Sequence, residues 1–377
     1  MSEKKRIAVA HPVLDGNEKK YVLDCMDTGW ISSAGKYIAL FEEAFANYCG
    51  VAHGVACSNG TTALHLALSA LGVGAGDEVL VPTLTFIATA NAVRYCGAEP
   101  VFVDSEPRTM NIDPEAILGK LTPRTKGIIV VHLYGHPVDM DPIVELARKR
   151  GLFVVEDAAE AHGARYKGRK AGSLADASTF SFYGNKIITT GEGGMVTTNN
   201  AELLEKMRIL RGQGMDPQKR YWFPVVGFNY RMTNIQAAIG LAQLEQIERH
   251  LRMRQEVAGW YRGALTPFLD VVTLPTIEDW AHHAFWAYSI LLKSSSLMGR
   301  DDLIEALSAD DIETRPLFYP VHTMPPYGKE GESHPVAEAL SQRGITLPMH
   351  GLLNRDDVSF ICSRLVAYCA GVTSATR

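Results

Sequence analysis

Along the first two thirds of the chain, short apolar runs alternate with longer amphipathic stretches. Seven runs predict strands: Gly54–Ser58, Glu78–Thr85, Pro100–Asp104, Gly127–Tyr134, Phe153–Asp157, Ser178–Phe182 and Met195–Thr198. Several are rich in Val, Ile, Phe or Thr, which pack well on a pleated surface. Helical patterns lie between them. Thr62–Leu71 is apolar nearly all round, which predicts a buried helix. Asp139–Arg150 sets Met140, Ile143, Val144 and Leu146 beneath a charged face. Strand–helix alternation of this kind predicts an α/β unit, its largely parallel sheet flanked by helices on both faces.

The pattern changes after a helix that begins near Thr233-Asn234 and carries Ile235, Ile239, Ala242 and Ile247. Strands then become sparse, at His283–Leu292 and Glu313–Leu317, with helices near Asp301–Leu307 and Asp356–Tyr368. A large α/β domain over 1–250 and a smaller α+β domain over 251–377 are expected. The proline- and glycine-bearing loop Thr323–Pro335 is expected at the surface of the second.

Composition narrows the classes. Of 377 residues, 46% are hydrophobic and 21% charged, an ordinary globular balance far from that of a disordered chain. The net charge is −5 and no Lys/Arg block occurs, which argues against a nucleic-acid surface. No apolar run approaches the roughly 18 residues of a membrane span. The start, Met1-Ser2-Glu3-Lys4-Lys5-Arg6, leads into only four apolar residues, too few for the core of a secretory leader, so a cytoplasmic setting is expected. Six cysteines are scattered without a C-x-x-C pair, so neither a disulfide framework nor a metal site is expected.

Five stretches carry candidate chemistry. In Ser181-Phe182-Tyr183-Gly184-Asn185-Lys186 a lysine follows a buried-looking strand and precedes the glycine-rich turn Gly191-Glu192-Gly193-Gly194. Desolvation lowers a lysine's pKa, and a neutral amine is the form that attacks a carbonyl. In Val154-Val155-Glu156-Asp157-Ala158-Ala159-Glu160 an apolar strand delivers Asp157 at its C-terminal end, either as a helix cap or as a site residue. Ser58-Asn59-Gly60-Thr61-Thr62 turns a strand into a buried helix, a geometry that suits a phosphate or an ordinary cap. Phe86, again at a strand end, is either a core aromatic or a ring that stacks on a planar group. Gly227-Phe228-Asn229-Tyr230-Arg231-Met232 precedes a helix and could serve an anion or form a surface turn.

Together these stretches resemble the DegT-type sugar-nucleotide aminotransferases, a branch of the fold type I (aspartate aminotransferase-like) pyridoxal phosphate enzymes. The likeness runs from about Val13 to the C-terminal helix, and includes Gly29-Trp30-Ile31-Ser32-Ser33 and Arg315-Pro316-Leu317-Phe318-Tyr319-Pro320-Val321-His322. It implies a seven-stranded, mostly parallel sheet and pyridoxal 5′-phosphate as cofactor, with pyridoxamine 5′-phosphate formed in turnover. Lys186 is implied as the Schiff-base lysine and proton carrier, and Asp157 as partner of the pyridine nitrogen. Thr61, Thr62 and Ser181 are implied as phosphate ligands and Phe86 as the stacking ring. Asn229 is implied to reach the neighbouring subunit's phosphate, hence a homodimer with shared active sites.

Val131-His132-Leu133-Tyr134-Gly135-His136 and Tyr319-Pro320-Val321-His322-Thr323-Met324-Pro325 resemble the branch that transfers the amino group of L-glutamate to C4″ of GDP-4-keto-6-deoxy-D-mannose, for surface polysaccharide such as O-antigen. Glu160, where Gln or His is commoner near the cofactor's 3′ oxygen, looks like that branch, and a raised pKa is expected for it. Trp30, Arg231, Tyr319 and His322 are candidates for holding the GDP-linked keto-sugar, with Arg220 and Tyr221 reaching across the dimer. His322 could equally cap its loop. Three alternatives stay open: another UDP- or dTDP-linked keto-sugar, a related dehydratase (opposed by Lys186, which is histidine there), and a catalytically silent cofactor-binding regulator.

Overall fold

All seven predicted runs pair into one sheet, in the order His53–Cys57, Gly194–Thr198, Ala177–Ser181, Phe153–Asp157, Thr125–Val131, Glu78–Pro82, Glu99–Val103. This computed structural model describes residues 6–371; Met1–Lys5, the start of the stretch considered above for a leader, lies outside the described residues. Gly194–Thr198 runs antiparallel to both its neighbours, and the other pairings are parallel. Two strands end earlier than the apolar pattern suggests. Thr83–Thr85 leave the sheet as a loop and His132 leads into the short 3-10 turn Leu133–Gly135, and Thr85 goes on to line a cleft.

Alternation along the strands gives the sheet two buried faces. Val79, Val81, Ile129 and Val155 pack on one side with Leu64, Leu66 and Leu68 of the helix Gly60–Ala70. Leu80, Ile128, Val130 and Val154 pack on the other with Met140 and Ile143 of the helix Met140–Arg150. Gly60–Ala70 is buried nearly all round, as its composition predicts. Val144 of Met140–Arg150 is half-exposed and lies off the core face.

The C-terminal part forms an antiparallel sheet ordered Val272–Thr273, Tyr288–Leu292, Gly344–Leu347, Arg315–Pro316. Helices Arg300–Ala309 and Arg355–Ala370 cover it through Leu303, Leu307, Ile361 and Leu365. The sequence-based boundary at 250/251 falls inside the helix Ile247–Leu265. Ile247 and Leu251 pack with the large sheet's helices, while Val257, Tyr261 and Leu265 pack with the C-terminal sheet. Near the N-terminus, Ile7 bridges to Ile312, and Val9 accepts a hydrogen bond from the Met349 amide. A third sheet of two-residue strands (Ala281–His282, Arg165–Tyr166, Arg169–Lys170) has no sequence signal long enough to anticipate. Among the described residues no helix is long and apolar enough to cross a membrane.

Candidate active site

A cleft of about 500 Å³ opens where the parallel strands end. Asp157 closes one strand, Ser181 closes the next, and Thr85 and Phe86 follow a third, so the sheet's carboxyl edge brings distant sequence positions to one place. Lys186 lies in the turn that follows Ser181, fixed by its own amide donating to the Tyr183 carbonyl at 2.9 Å.

The Lys186 side chain is 12% exposed. Nζ stands 4.0 Å from the centre of the Trp286 ring and 3.8 Å from Oε1 of Glu160. Burial lowers its pKa from the ordinary lysine value, with the nearby carboxylates of Glu160 and Asp157 opposing. The neutral amine is thereby favoured.

Asp157 is buried. Its Oδ2 accepts a hydrogen bond from Thr89 Oγ1 at 2.8 Å and its Oδ1 accepts one from the Ala159 amide at 3.2 Å. Burial raises its pKa, and those hydrogen bonds oppose the rise. Glu160 is buried as well, with Oε2 accepting from the Tyr134 amide at 2.8 Å. Burial pushes its carboxyl up to about 7, with Lys186 the main opposing influence. Tyr134 makes that contact from a left-handed backbone conformation (φ 55°), which turns its N–H toward the carboxylate. The neighbouring Glu156, wholly buried, belongs to the scaffold instead. It accepts from His132, Ser178 and the amides of Gly172 and Leu174, and so ties the strand end to the Gly172–Ser178 segment.

At the other end of the cleft the helix Gly60–Ala70 points its N-terminus inward. Asn59 caps it, accepting from the Thr62 amide at 2.9 Å, while the amides of Gly60 and Thr61 carry no protein partner among the described residues. Side chains fare differently. Thr61 and Ser181 line the cleft. The Thr62 hydroxyl donates to the Asn59 carbonyl, accepts from the Asn59 amide and meets Ser58 Oγ, all within the cap. A Cβ on Gly60 would meet Ser181 Cβ at 2.8 Å, so only glycine lets the helix end approach this strand.

Phe86 lines the cleft and is 58% exposed, a large aromatic face left open. The remaining candidates lie elsewhere. Asn229 is exposed and accepts from Arg231 Nη2 at 2.8 Å; Arg231 Nε is buried and unpartnered. Trp30, Arg220, Tyr221 and Tyr319 are exposed away from this chain's cleft. His322 does not line the cleft. It is buried, with Nδ1 at 2.6 Å from Thr83 Oγ1 and Nε2 at 3.1 Å from Glu338 Oε1, which leaves no ring nitrogen for a ligand.

Sequence reasoning missed the wall opposite Lys186, built from Trp286, Phe318 and Arg315 of the C-terminal part. Trp286 stacks parallel to Tyr134 (7° between planes, 6.3 Å between centroids) and donates from Nε1 to the Asn185 carbonyl at 2.9 Å. The Phe318 amide donates to the Tyr134 hydroxyl at 2.9 Å. Arg315 opens the stretch used for the resemblance and could have been found there. Trp286 sits in an irregular segment that the pattern renders as strand.

Residues 12–366 match the DegT/DnrJ/EryC1/StrS aminotransferase family. The chain belongs to this family. It is 57% identical to a GDP-perosamine synthase of Caulobacter vibrioides, over 97% of this chain and 99% of that protein. To a GDP-perosamine synthase of Escherichia coli O157:H7 it is 50% identical, over 96% and 98%. Among solved structures, S. venezuelae DesV in complex with a ketimine intermediate superposes with a TM-score of 0.87 at 35% identity, covering 93% of each chain.

Aminotransferases of this family depend on pyridoxal phosphate, and the cleft fits that group. The free amides of Gly60 and Thr61, at a helix N-terminus beside the Ser181 hydroxyl, suit a phosphate. A buried carboxylate (Asp157), a lysine tuned toward its neutral form (Lys186) and an open aromatic face (Phe86) border the same space.

Proposed function

We propose that this chain moves the amino group of L-glutamate to C4″ of GDP-4-keto-6-deoxy-D-mannose, giving GDP-perosamine and 2-oxoglutarate for surface polysaccharide such as O-antigen. The observation that carries this reading is the 57% identity to a GDP-perosamine synthase across nearly the whole chain, and the chemistry assembled around Lys186 agrees with it. When bound, pyridoxal 5′-phosphate would supply an electron sink for the reacting carbon and a carbonyl to carry the amino group.

The chain's own residues do the rest. Lys186 would hold the cofactor and, as general base and acid, would move the proton of the donor carbon. Its neutral form, favoured by burial, is the form that can accept that proton. Asp157, fixed by Thr89 and the Ala159 amide, would keep a proton on the ring nitrogen and so favour electron withdrawal. Glu160, able to hold a proton near neutrality, would donate it to the ring's oxygen substituent. The Gly60–Thr61 amides, Thr61 and Ser181 would take the phosphate, and Phe86 would cover the ring.

The working unit in this reading is a homodimer. Tyr221, Trp222, Phe223, Val225 and Val226 are exposed in succession, with Val226 at 91%, an apolar display unusual for a monomer. Asn229, Arg231, Arg220 and Tyr221 border this region and supply the partner's cleft. Six cysteines, all free, suit a reducing cytoplasm.

The testing experiment offers the glutamate-treated enzyme a panel of GDP-, UDP- and dTDP-linked keto-sugars and identifies products by mass spectrometry. A 4-amino product from the GDP-sugar supports the reading. Turnover confined to UDP- or dTDP-sugars would overturn it.

A further inference from the structure

Trp286 reaches the cleft from an irregular segment whose backbone is strained. Phe285 stands in the left-handed region (φ 50°), which a phenylalanine does not adopt by local preference. The next amide, that of Trp286, lies so near the Tyr134–Gly135 turn that a Cβ on Gly135 would meet it at 2.9 Å. A segment of this kind persists only where its surroundings fix it.

The fixing comes from behind, from the helix Ile247–Leu265 that packs on both parts of the fold. Arg254 Nη1 donates to the carbonyls of Phe285 at 3.2 Å, Trp286 at 3.0 Å and Met349 at 3.2 Å. Gln255 Nε2 donates to the His283 carbonyl at 2.6 Å. Arg254 is 4% exposed, and among the described residues its hydrogen-bond partners include no carboxylate. Burying a guanidinium without a counter-charge is costly, and an apolar side chain would fill the space without that cost. What the guanidinium adds is the hold on these three carbonyls. Arg254 itself does not line the cleft.

On the cleft side, the contacts of Trp286 all bear on Lys186. The ring centre is 4.0 Å from Nζ, and Nε1 donates to the carbonyl of Asn185, the residue before the lysine. The ring also stacks on Tyr134, whose amide donates to Glu160. An aromatic face attracts an ammonium and shields it from one side. A lysine that takes and returns a proton must do so at one place, and a ring held still beside it fixes that place.

We propose that Arg254 is a positioning residue for amino transfer and acts through Trp286: the guanidinium holds the Trp286 backbone, and the ring braces Lys186 Nζ beside Glu160. The inference rests on the aminotransferase reading above and assigns the support behind its lysine.

The test compares full-length, cofactor-loaded wild type with Arg254→Met, Arg254→Lys, Trp286→Leu and the double variant Arg254→Met/Trp286→Leu. Steady-state kcat and both KM values are measured. Each enzyme is then treated with L-glutamate to release Lys186, desalted and acetylated with acetic anhydride, and labelling of Lys186 relative to exposed lysines is read by mass spectrometry. Arg254→Met is expected to lower kcat about tenfold or more, with both KM values within about twofold. It should raise Lys186 labelling about threefold or more, as Trp286→Leu does by removing the ring. The double variant should label no faster than Trp286→Leu alone. Arg254→Lys, whose ammonium offers three donors to the same carbonyls, should recover part of both losses. If Arg254→Met does not fold, Arg254→Gln takes its place in each comparison. Lys186 labelling unchanged in Trp286→Leu, or unchanged in the Arg254 variant while only its melting temperature falls, would overturn the proposal, as would additive effects in the double variant. Labelling that rises on replacing Arg254, in an enzyme that aminates no GDP-sugar, would uphold the pair and overturn only the acceptor assignment. A wild type from which glutamate releases no Lys186 would overturn the aminotransferase reading and the pair with it.

Discussion

Oε1 of Glu160 lies 3.8 Å from Nζ of Lys186, too far for a hydrogen bond and close enough for each charge to bias the other. Burial pushes the carboxyl up to about 7 and the amine down from its ordinary value, so the pair is drawn toward its uncharged forms. In the proposed reading, an uncharged amine and a proton-holding carboxyl are the states that amino transfer asks of these two positions.

The same burial fixes a pH dependence. Between its ordinary value of 4.5 and about 7, folded Glu160 binds a proton that the unfolded chain has released. Native stability contributed by this group is therefore lost as pH rises through that window. Glu160→Gln removes the loss and can still accept from the Tyr134 amide. Denaturant titrations of the cofactor-free protein at pH 5, 6, 7 and 8 should show the variant gaining on wild type by on the order of 1–3 kcal/mol across the series. A constant difference would contradict the shift.

Thr89 was not recognised in the sequence, yet its hydroxyl is the side-chain donor to Asp157. Thr89→Val leaves a buried carboxylate short of a partner, at a cost of about 1–3 kcal/mol. Cofactor affinity and kcat are expected to fall together, roughly tenfold or more, and Thr89→Ser to restore most of both. Cofactor titration by absorbance alongside initial rates checks this.

His162 is wholly buried, its ring packed against Phe45, Phe180 and Phe182 and neither nitrogen hydrogen bonded. Burial, helped by the charges of Lys186 and Arg254, lowers its pKa to about 3. The unfolded chain binds this proton below its ordinary 6.5 and the folded one does not, so stability is lost as pH falls from 6.5 toward 3. His162→Leu should reduce the acid slope of unfolding by about one proton. An unchanged slope would show that the imidazole finds a partner.

The exposed run Tyr221–Val226 predicts an interface. Val226→Asp places a charge in that apolar surface and should shift the mass measured by light scattering from dimer toward monomer, with catalytic activity falling in parallel. A monomeric wild type, or a dimer indifferent to the change, would contradict the shared-site reading.

The large sheet was legible because each strand is a self-contained apolar run, with Asp157 at the end of one and Lys186 in the turn that follows another. Less was legible wherever tertiary placement decides. Trp286 and Arg315 reach the cleft only because the C-terminal sheet folds against the Tyr134–Gly135 turn, where the Ala284 and Ala287 amides donate to the carbonyls of Gly135 and Tyr134. No local pattern encodes that. Thr62 and His322 show the converse: their residue types suit ligands, and capping or burial has already engaged them.

The central claim is that Lys186 holds the cofactor in this cleft, and reductive trapping tests it most directly. Purified enzyme loaded with pyridoxal 5′-phosphate is treated with borohydride, digested and mapped by mass spectrometry. The account predicts the reduced cofactor's mass on the peptide bearing Lys186, and none on that peptide in Lys186→Ala. Label on another lysine, or none in wild type, would contradict it.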